Sequence, residues 1–498
     1  MRTVFRIYQR VESLSFAAVL LAFVAGCAIH QPERTPSPLV PAGDQFREKT
    51  SDTGSVGAGT SGDWWRSFDD SVLDQLISDA LDANLDLAQF QDRIVQARAR
   101  LRQAGGRLFP QVDAEGNFTS RWSDGSGIES NQREDSSALG VVFGWEIDFW
   151  GRLRSAKGAR VEETEAAIDD WQAARLTLSA SIAEIYFEIL EQQQQLNLLN
   201  QQIGINTTLL DLTRLRFGQG LSSIVDVLQQ QEQLASTRTL VPAIEARLEQ
   251  LELTLDVLLG KSPGDRQRFV ARTLDLPPKQ FDAGVPSDLL ANRPDLLASR
   301  HRVTALDYSV GEGIAERLPR FSIGGSLSAG GYPGLDTLTA NAITAAVGPV
   351  FDAGIRKAEV TFRKAQLMEA IHDYSGRYLN AVREVETALL RGRKRAEGLR
   401  RLESQLSVAK RLLRETRNRY SQGLTDYLPV LAAVGTVQTL ERDVLTSLRE
   451  LILERVSLHR ALGGPIARPG PALDPSEPKS TKSAQTTHPT MMHTPTDL

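Results

Sequence analysis

Two long stretches of the chain repeat their apolar residues at alternating spacings of three and four positions. The first, residues 152–217, contains no proline and only two glycines. This spacing is typical of a helix that carries a coiled-coil seam. A helix of that length measures roughly 100 Å, which exceeds a compact globular domain and suits a protein that spans a gap. The seam comprises Ile182, Ile185, Ile189, Gln192, Leu196, Leu199, Ile203, Asn206, Leu210, Thr213 and Phe217.

An equivalent seam lies in the second half of the chain, and a shorter predicted helix follows each long one. The shorter helices are predicted over 222–259 and 425–462, each packed back against the long helix before it. A cytosolic coiled-coil scaffold is the alternative reading of the seams alone. Four seam residues recur 203 positions later, as Leu196/Leu399, Ile203/Leu406, Leu210/Leu413 and Phe217/Tyr420.

Four shorter stretches alternate apolar and polar residues with the period of two expected for β-strands. They cover about 112–123, 138–149, 320–330 and 341–351, and the apolar face of the last is predicted to hold Ile343, Ala345, Val347 and Phe351. Such runs of about ten residues fit membrane-barrel strands, although a soluble hairpin alternates in the same way. Four strands cannot close a barrel, since about eight is the small end. A membrane-spanning chain must therefore oligomerise, as a dimer, a trimer or more.

These elements form an internal duplication with the order helix, strand, strand, long helix, helix in each half. We predict one repeat over 63–263 and a second over 264–464. Three glycines at element junctions recur at an offset of 203, as Gly151/Gly354, Gly220/Gly423 and Gly260/Gly463.

The two ends of the chain differ from the repeats. Residues 1–26 have a basic flank and an apolar core, which is typical of a signal peptide. Its end, Val24-Ala25-Gly26-Cys27, resembles a bacterial lipobox, so we expect a lipid anchor on Cys27, the chain's single cysteine. The residue after the cysteine is Ala28, whereas an aspartate there would suggest retention at the inner membrane. We therefore expect the outer membrane. Residues 27–62 are predicted to be an extended tether and 465–498 a disordered tail.

Composition excludes several functional classes. The net charge is −5, so no dominant basic face suggests nucleic acid as a partner. The single cysteine and six scattered histidines indicate no metal site, and nothing predicts a cofactor. Gly311-Glu312-Gly313 falls within a helical segment rather than in a nucleotide loop. We therefore expect no enzyme and no catalytic residue. No run of 18 apolar residues exists, so the mature protein is expected to lack a transmembrane helix.

Several short motifs, in order along residues 63–464, resemble the outer-membrane efflux factor (TolC-like) family and its NodT-type lipoprotein branch, found in RND-type tripartite efflux systems. The resemblance extends over nearly all of the mature chain. The motifs are Asp63-Trp64-Trp65, Asn84-Leu85-Asp86-Leu87, Trp145-Glu146-Ile147-Asp148-Phe149-Trp150-Gly151-Arg152, Arg216-Phe217-Gly218-Gln219-Gly220, Asn292-Arg293-Pro294-Asp295-Leu296, Gly348-Pro349-Val350-Phe351-Asp352-Ala353-Gly354 and Tyr420-Ser421-Gln422-Gly423.

The resemblance implies a mainly α protein with a membrane β part, in which a trimeric α-helical barrel joins a 12-stranded transmembrane β-barrel. It implies a homotrimer in outer-membrane lipid that reaches into the periplasm. There it would meet a periplasmic adaptor protein and an inner-membrane transporter, most often of the RND type. The implied function is a passive exit duct for small toxic compounds. The alternatives are the exit duct of a type I protein secretion system and a purely structural envelope scaffold.

The resemblance also indicates where the functional residues lie. The two turns between a long and a shorter helix should form the periplasmic tip and dock the adaptor. Their predicted docking residues are Arg216, Phe217, Gly218, Gln219, Gly220, Arg419, Tyr420, Gln422 and Gly423, with Gly218, Gly220 and Gly423 allowing the tight reversal. The candidates for a closed entrance constriction are Asp226, Asp426 and Tyr427.

Overall fold

The structure is a computed structural model that describes residues 29–33, 35–40, 43, 45–47, 63–123, 132–264, 273–275 and 285–463. The predicted signal peptide, the lipid anchor Cys27 and the predicted tail lie outside the described residues. Among the helices within these ranges, none has both the length and the apolar character needed to cross a membrane.

The first half of the described chain contains five helices and two strands after a 3₁₀ turn at Trp64–Phe68. They are α1 (Ser71–Ala83), α2 (Leu85–Gly106), β1 (Gln111–Ser123), β2 (Gln132–Ile147), α3 (Arg152–Gly218), α4 (Ile224–Thr239) and α5 (Val241–Leu258).

The second half repeats this order after a 3₁₀ turn at Pro286–Asp288. Its elements are α6 (Leu289–Asn292), α7 (Pro294–Ala315), β3 (Arg320–Gly331), β4 (Thr337–Val347), α8 (Ile355–Ser421) and α9 (Leu428–Leu462). The predicted order of elements is therefore present in both halves.

The two long helices, α3 and α8, are 67 residues each and begin and end 203 positions apart. A glycine with positive φ precedes each of them, Gly151 at 77° and Gly354 at 86°. Only glycine adopts such a backbone angle without strain, so each junction fixes the direction in which a long helix leaves the sheet. The predicted long helices are confirmed.

The shorter helices differ between the halves, and one prediction was wrong. Residues 222–259 were expected to form one helix, but Leu240 separates α4 from α5. Pro242 lies in the first turn of α5 and has no N–H to donate to the turn before it, so the helix is interrupted there. Its counterpart α9 runs unbroken for 35 residues, beginning at Leu428 with Pro429 in its first turn.

The four strands form one antiparallel sheet in the order β1-β2-β3-β4. Strands β2 and β4 end before Phe149 and Phe351, which the sequence placed inside them. Strand β2 ends there because the Asp148 carboxylate accepts hydrogen bonds from the backbone N–H groups of Leu153 (2.9 Å) and Arg154 (2.8 Å). These bonds turn the chain into α3.

The sheet has one predominantly apolar face, but β4 contributes to it differently from the prediction. Leu327 pairs with Ala340 and Gly324 with Ile343, so the even-numbered residues of β4 share a face with the odd-numbered residues of β3. Ile343, Ala345 and Val347 therefore lie on the opposite, more polar face, and the predicted apolar face of β4 was wrong. The large apolar side chains of the apolar face are exposed in the chain: Val112, Phe118, Trp122, Leu139, Val141, Phe143, Trp145, Phe321, Leu327 and Leu338.

Two equivalent contacts tie the short helices to the end of each repeat. The Asn84 side-chain amide donates to the Leu258 carbonyl at 2.9 Å. The Arg293 guanidinium donates to the Ala461 carbonyl at 3.1 Å, 203 positions later, and also pairs with Asp295 and Glu384. An amide in one half and a partly buried arginine in the other thus hold the same junction.

The segment predicted to be an extended tether packs against the second repeat in its described part. His30 Nε2 lies 2.6 Å from Asp307 Oδ1 of α7, and the Leu39 N–H donates to the Ser375 hydroxyl of α8 at 3.0 Å. Phe46 is buried among α7 and α8 side chains. These contacts are made by a polar, proline-rich stretch whose composition gave no sign of them.

Candidate functional site at the helix turns

The first turn joins α3 to α4 through a tight C-terminal cap. The Leu221 N–H donates to the Arg216 carbonyl and the Gly220 N–H to the Phe217 carbonyl, both at 2.9 Å. Gly220 has φ of 71°, and open space surrounds the place where a Cβ would lie. The backbone angle, rather than crowding, is what favours glycine at this position. Gly218 is the last helical residue and has no left-handed angle, so its predicted role in the reversal was wrong.

The second turn, between α8 and α9, repeats the same hydrogen bonds. The Leu424 N–H donates to the Arg419 carbonyl at 2.9 Å and the Gly423 N–H to the Tyr420 carbonyl at 3.0 Å. Gly423 has φ of 70°. The predicted equivalence of the two turns therefore extends to their backbone conformation.

The turns differ at the start of the helix that follows. In the first, the Ser223 hydroxyl accepts from the Val225 N–H and the Asp226 carboxylate accepts from the Ser223 N–H, both at 3.1 Å. This reciprocal pair is a capping box, which stabilises the first turn of α4. Proline occupies the position equivalent to Asp226 in the second turn, so α9 has no such cap.

The three predicted constriction residues lie in different environments. Asp226 is half-buried within its capping box, whereas Asp426 is exposed at the second turn. Tyr427 is only 2% exposed and packs with Val430 and Val434 of α9. The structure therefore brings Tyr427 into the interior of the tip and leaves Asp426 at its surface.

An arginine and two tyrosines join the turns. The Arg216 guanidinium carbon lies 4.6 Å from the centre of the Tyr420 ring, within the range of a cation–π interaction. The Tyr420 and Tyr427 ring centres are 5.3 Å apart. Side chains from both repeats thus form one continuous stack across the tip.

Below this stack, Gln230 connects the two repeats, and the sequence gave no indication of its role. Gln230 is fully buried on α4 and its Oε1 accepts a hydrogen bond from the Tyr427 hydroxyl. Its Nε2 donates to the Asn206 carbonyl of α3 at 2.9 Å. Burial, together with the nearby Tyr420 and Asp226, raises the pKa of Tyr427, so its hydroxyl stays protonated and donates at physiological pH.

A polar layer continues from this point between α3 and α9. The Gln438 side chain donates to Asn206 Oδ1 at 3.0 Å, and Gln202 donates to the Gln438 carbonyl at 3.1 Å. Arg442 donates to Gln202 Oε1 at 2.7 Å. Gln192 and Asn206 interrupt the apolar seam in the sequence, and this interruption was the one available signal for the layer.

The surface of the tip is a mixture of apolar and polar groups. Gln219, Arg419 and Gln422 are exposed, as predicted for docking residues. Several apolar side chains beside them are also exposed: Phe217, Leu221, Ile224, Val225, Leu228, Leu424 and Leu428. Exposed apolar side chains grouped in this way, with a polar rim, are typical of protein interaction surfaces.

Two ranges of the chain, 76–261 and 285–464, match the family described as outer membrane efflux protein. One range lies in each half of the chain, and together they take up well over half of it.

Individual relatives and solved structures agree with this match. The pyoverdine export outer membrane protein OpmQ of Pseudomonas putida is 29% identical over 416 residues, or 80% of this chain and 87% of the relative. Nodulation protein T of Rhizobium leguminosarum bv. trifolii is 24% identical over 462 residues, or 90% and 97%. The solved outer-membrane channel OprN superposes with a TM-score of 0.82 at 26% identity, covering 88% of this chain and 99% of that one.

Proposed function

Because this chain belongs to the outer membrane efflux protein family, we propose that it forms the outer-membrane channel of a tripartite efflux pump. One observation carries the proposal: two 67-residue helices continue into a four-stranded sheet whose apolar face is exposed. Helices of roughly 100 Å suit the crossing of a compartment, and an uncovered apolar face suits lipid. The chain acts as a passive duct, and its partners supply the energy.

The duct is a homotrimer. The single chain leaves two sheet edges, β1 and β4, and four strands are too few to enclose a lumen. Three copies supply a 12-stranded transmembrane barrel, and their long helices supply an α-helical barrel below it. The strand register supports this arrangement, because it places Asp113, Glu115 and Ser322 on the face opposite Phe143 and Leu327.

A lipid on Cys27 anchors the chain in the outer membrane. The described part of the following segment supports this position, because it binds Asp307 in the half of α7 that leads into β3. A lipid at the start of this segment keeps the site on α7 to which the segment binds near the membrane. Electrospray mass measurement of the mature N-terminal peptide tests the anchor: an unmodified thiol on Cys27 contradicts it.

The two turns dock the adaptor and close the entrance. Their exposed apolar side chains and the polar residues Gln219, Arg419 and Gln422 fit a protein partner, namely a periplasmic adaptor that joins the duct to an inner-membrane RND-type transporter. Asp226, Asp426 and Tyr427 hold the entrance shut. Capture of the tagged trimer, followed by identification of co-purified proteins by mass, tests the partnership.

The cargo consists of small toxic compounds. The relative OpmQ is named a pyoverdine export outer membrane protein, which supports export as the role of this chain. Planar-bilayer recordings of the purified trimer should show discrete conductance steps. Deletion of the gene should lower the concentrations of dyes and drugs that stop growth. A trimer that stays non-conducting even with both entrance carboxylates neutralised would refute the duct. Lost secretion of a protein with unchanged drug tolerance would favour type I secretion.

The entrance residues are tested by neutralising both carboxylates. We expect Asp226→Asn with Asp426→Asn to raise the conductance of the resting trimer, because both charges lie at the tip. Ser223→Ala is the matched control, since it weakens the same α4 cap without removing charge. An unchanged conductance in the doubly neutralised trimer contradicts the assignment.

A further inference from the structure

Three of the helices that adjoin the sheet enclose a cavity. It has a volume of about 190 Å³ and lies between α2, α3 and α7. Small side chains leave room for it, with Ala104 on α2 and Ala156 and Ala159 on α3. Two arginines also line it, Arg100 of α2 and Arg107, which follows the last residue of that helix. Seven residues separate them, so they lie about 10 Å apart on the same face of α2.

The charges of these two arginines are not neutralised by the described part of the chain. The two carboxylates that line the cavity are each paired with a different arginine, Glu163 with Arg160 at 2.5 Å and Glu312 with Arg363 at 3.2 Å. Arg100 and Arg107 are exposed and have no acidic partner among the described residues. The cavity therefore holds two guanidinium groups whose hydrogen-bond donors are available to a ligand.

The cavity opens on the side of the helices that continues the polar face of the sheet. Arg152 is one helical turn before Ala156, so both lie on the same face of α3. The Arg152 guanidinium donates to the Glu146 carboxylate at 3.0 and 2.8 Å. Glu146 pairs in register with Ser322, which lies on the polar face. The α3 residues of the cavity therefore lie on the same side of the chain as that face.

The N-terminal segment binds the other side of these helices. The His30 ring and the Glu33 N–H both contact the Asp307 carboxylate of α7, at 2.6 and 2.8 Å. Ser309 and Glu312, which line the cavity, follow Asp307 by two and five residues and thus lie about 140–160° away from it around α7. In the proposed duct, the segment that begins at the lipid anchor lies outside the helices, and the cavity faces the lumen.

We propose that this cavity binds the anionic group of a soluble compound, a carboxylate, sulfonate or phosphate, as the compound passes through the duct. The planar guanidinium group of arginine donates two parallel hydrogen bonds to such oxyanions, which makes it well suited to recognise them. The inference rests on the proposed function, because the cavity faces a lumen only in the assembled duct. It adds acidic small molecules as a class of cargo.

The size of the cavity fits a binding site that releases its ligand readily. Pockets that enclose a drug-sized molecule measure roughly 300–1,000 Å³, so a cavity of about 190 Å³ holds the charged end of a compound and leaves the rest in the lumen. The two arginines are also exposed to water, which weakens their attraction for an anion as the salt concentration rises. A weak site of this kind raises the local concentration of acidic cargo without trapping it.

Calorimetric titration of the full-length protein in detergent tests the site without requiring conduction. The probe is benzene-1,3,5-tricarboxylate, and benzene-1,3,5-trimethanol is the uncharged probe of the same shape. We expect Arg100→Gln with Arg107→Gln to raise the Kd of the tricarboxylate at least about tenfold at low salt. The uncharged probe should not bind. Arg102→Gln with Lys157→Gln is the matched control, because it removes the same charge from exposed positions of α2 and α3 that do not line the cavity.

A growth measurement tests the role in export. Cells that carry Arg100→Gln with Arg107→Gln should tolerate lower concentrations of acidic drugs than wild-type cells, with unchanged tolerance of cationic dyes. Unchanged tolerance of both classes would overturn the role of the cavity in the passage of cargo. The control variant should behave as the wild type in both measurements.

The remaining outcomes separate the site from the duct. Equal affinity for the tricarboxylate in wild type and in Arg100→Gln with Arg107→Gln would overturn the site while leaving the duct intact. A phospholipid that co-purifies with the wild-type chain, and not with this variant, would assign the cavity to a lipid phosphate and overturn the acidic cargo. A wild-type chain that binds the tricarboxylate yet forms no conducting channel, even with both entrance carboxylates neutralised, would instead overturn the proposed function.

Discussion

Replacement of Tyr427 by phenylalanine tests whether a buried hydrogen bond holds the two turns together. Tyr427 is 2% exposed and Gln230 is fully buried, and the hydroxyl donates to the Gln230 side-chain oxygen. Gln230 is fixed from its other end by the Asn206 carbonyl, so it cannot turn away to find another donor. Tyr427→Phe keeps the ring in contact with Tyr420 and removes only the donor.

The cost follows from the oxygen left behind. A buried acceptor without a partner costs about 1–3 kcal/mol, and this cost falls on the conformation in which the turns are packed. When the turns part and water reaches Gln230, the cost disappears. We therefore expect Tyr427→Phe to shift the equilibrium toward the parted state by about 5- to 150-fold.

Single-channel recording of the proposed trimer measures this shift as an increased open fraction. The double variant Tyr427→Phe with Gln230→Leu removes both polar groups and should return toward the wild-type value. Tyr378→Phe is the matched control, because Tyr378 is 1% exposed and makes no hydrogen bond through its hydroxyl to any described residue. An open fraction that is equal in wild type and Tyr427→Phe would refute the reasoning.

Three further predictions concern stability. Burial and Arg455 lower the pKa of His459 from 6.5 to about 4. The unfolded chain therefore takes up a proton at a higher pH than the native chain, so the free energy of unfolding falls by up to about 3 kcal/mol as the pH is lowered from 6.5 to 4. A plot of the unfolding midpoint of His459→Phe against pH should lack this part of the slope. Gly260→Ala should destabilise by more than Gly220→Ala in denaturant titrations: both have positive φ, but only at 260 would a Cβ lie 2.3 Å from a neighbouring carbonyl oxygen. Arg293→Lys should cost about 1 kcal/mol, because lysine keeps the charge but cannot reproduce the two-point pairing with Asp295.

Each of these predictions has a clear contradiction. An identical pH slope in His459→Phe would place the titration elsewhere. Equal losses in the two glycine variants would show that the backbone angle alone decides the cost. Full stability of Arg293→Lys would show that a single cation suffices to hold the junction.

The sequence predicted the large elements because their signals are periodic and repeated. The seam through Leu196, Leu199 and Ile203 specifies a helix, and the same offset of 203 in the second half supports it. The resemblance to the TolC-like family is confirmed by the match over both halves. The apolar residues that face away from the seam were harder to interpret, because the sequence does not show what covers them.

Features decided by pairing between distant residues were not predictable. The face on which Ile343 lies depends on its register against Gly324, and a shift of one residue in that register reverses the face. The role of Gln230 depends on a hydroxyl 197 positions away, and the docking of His30 on an aspartate 277 positions away. Gly311, first noted for its resemblance to a nucleotide loop, allows His30 to approach α7: a Cβ there would lie 3.1 Å from the imidazole.

The identical extent of the two 67-residue helices also restricts how this protein can change in evolution. A deletion of one heptad from α3 alone would draw its turn about 10 Å back from its counterpart and break the stack of Arg216 on Tyr420. The same deletion made in both helices, with matching deletions in α4–α5 and α9, would keep the turns side by side. The length of the two long helices can therefore change among descendants only in paired steps that keep each seam in phase.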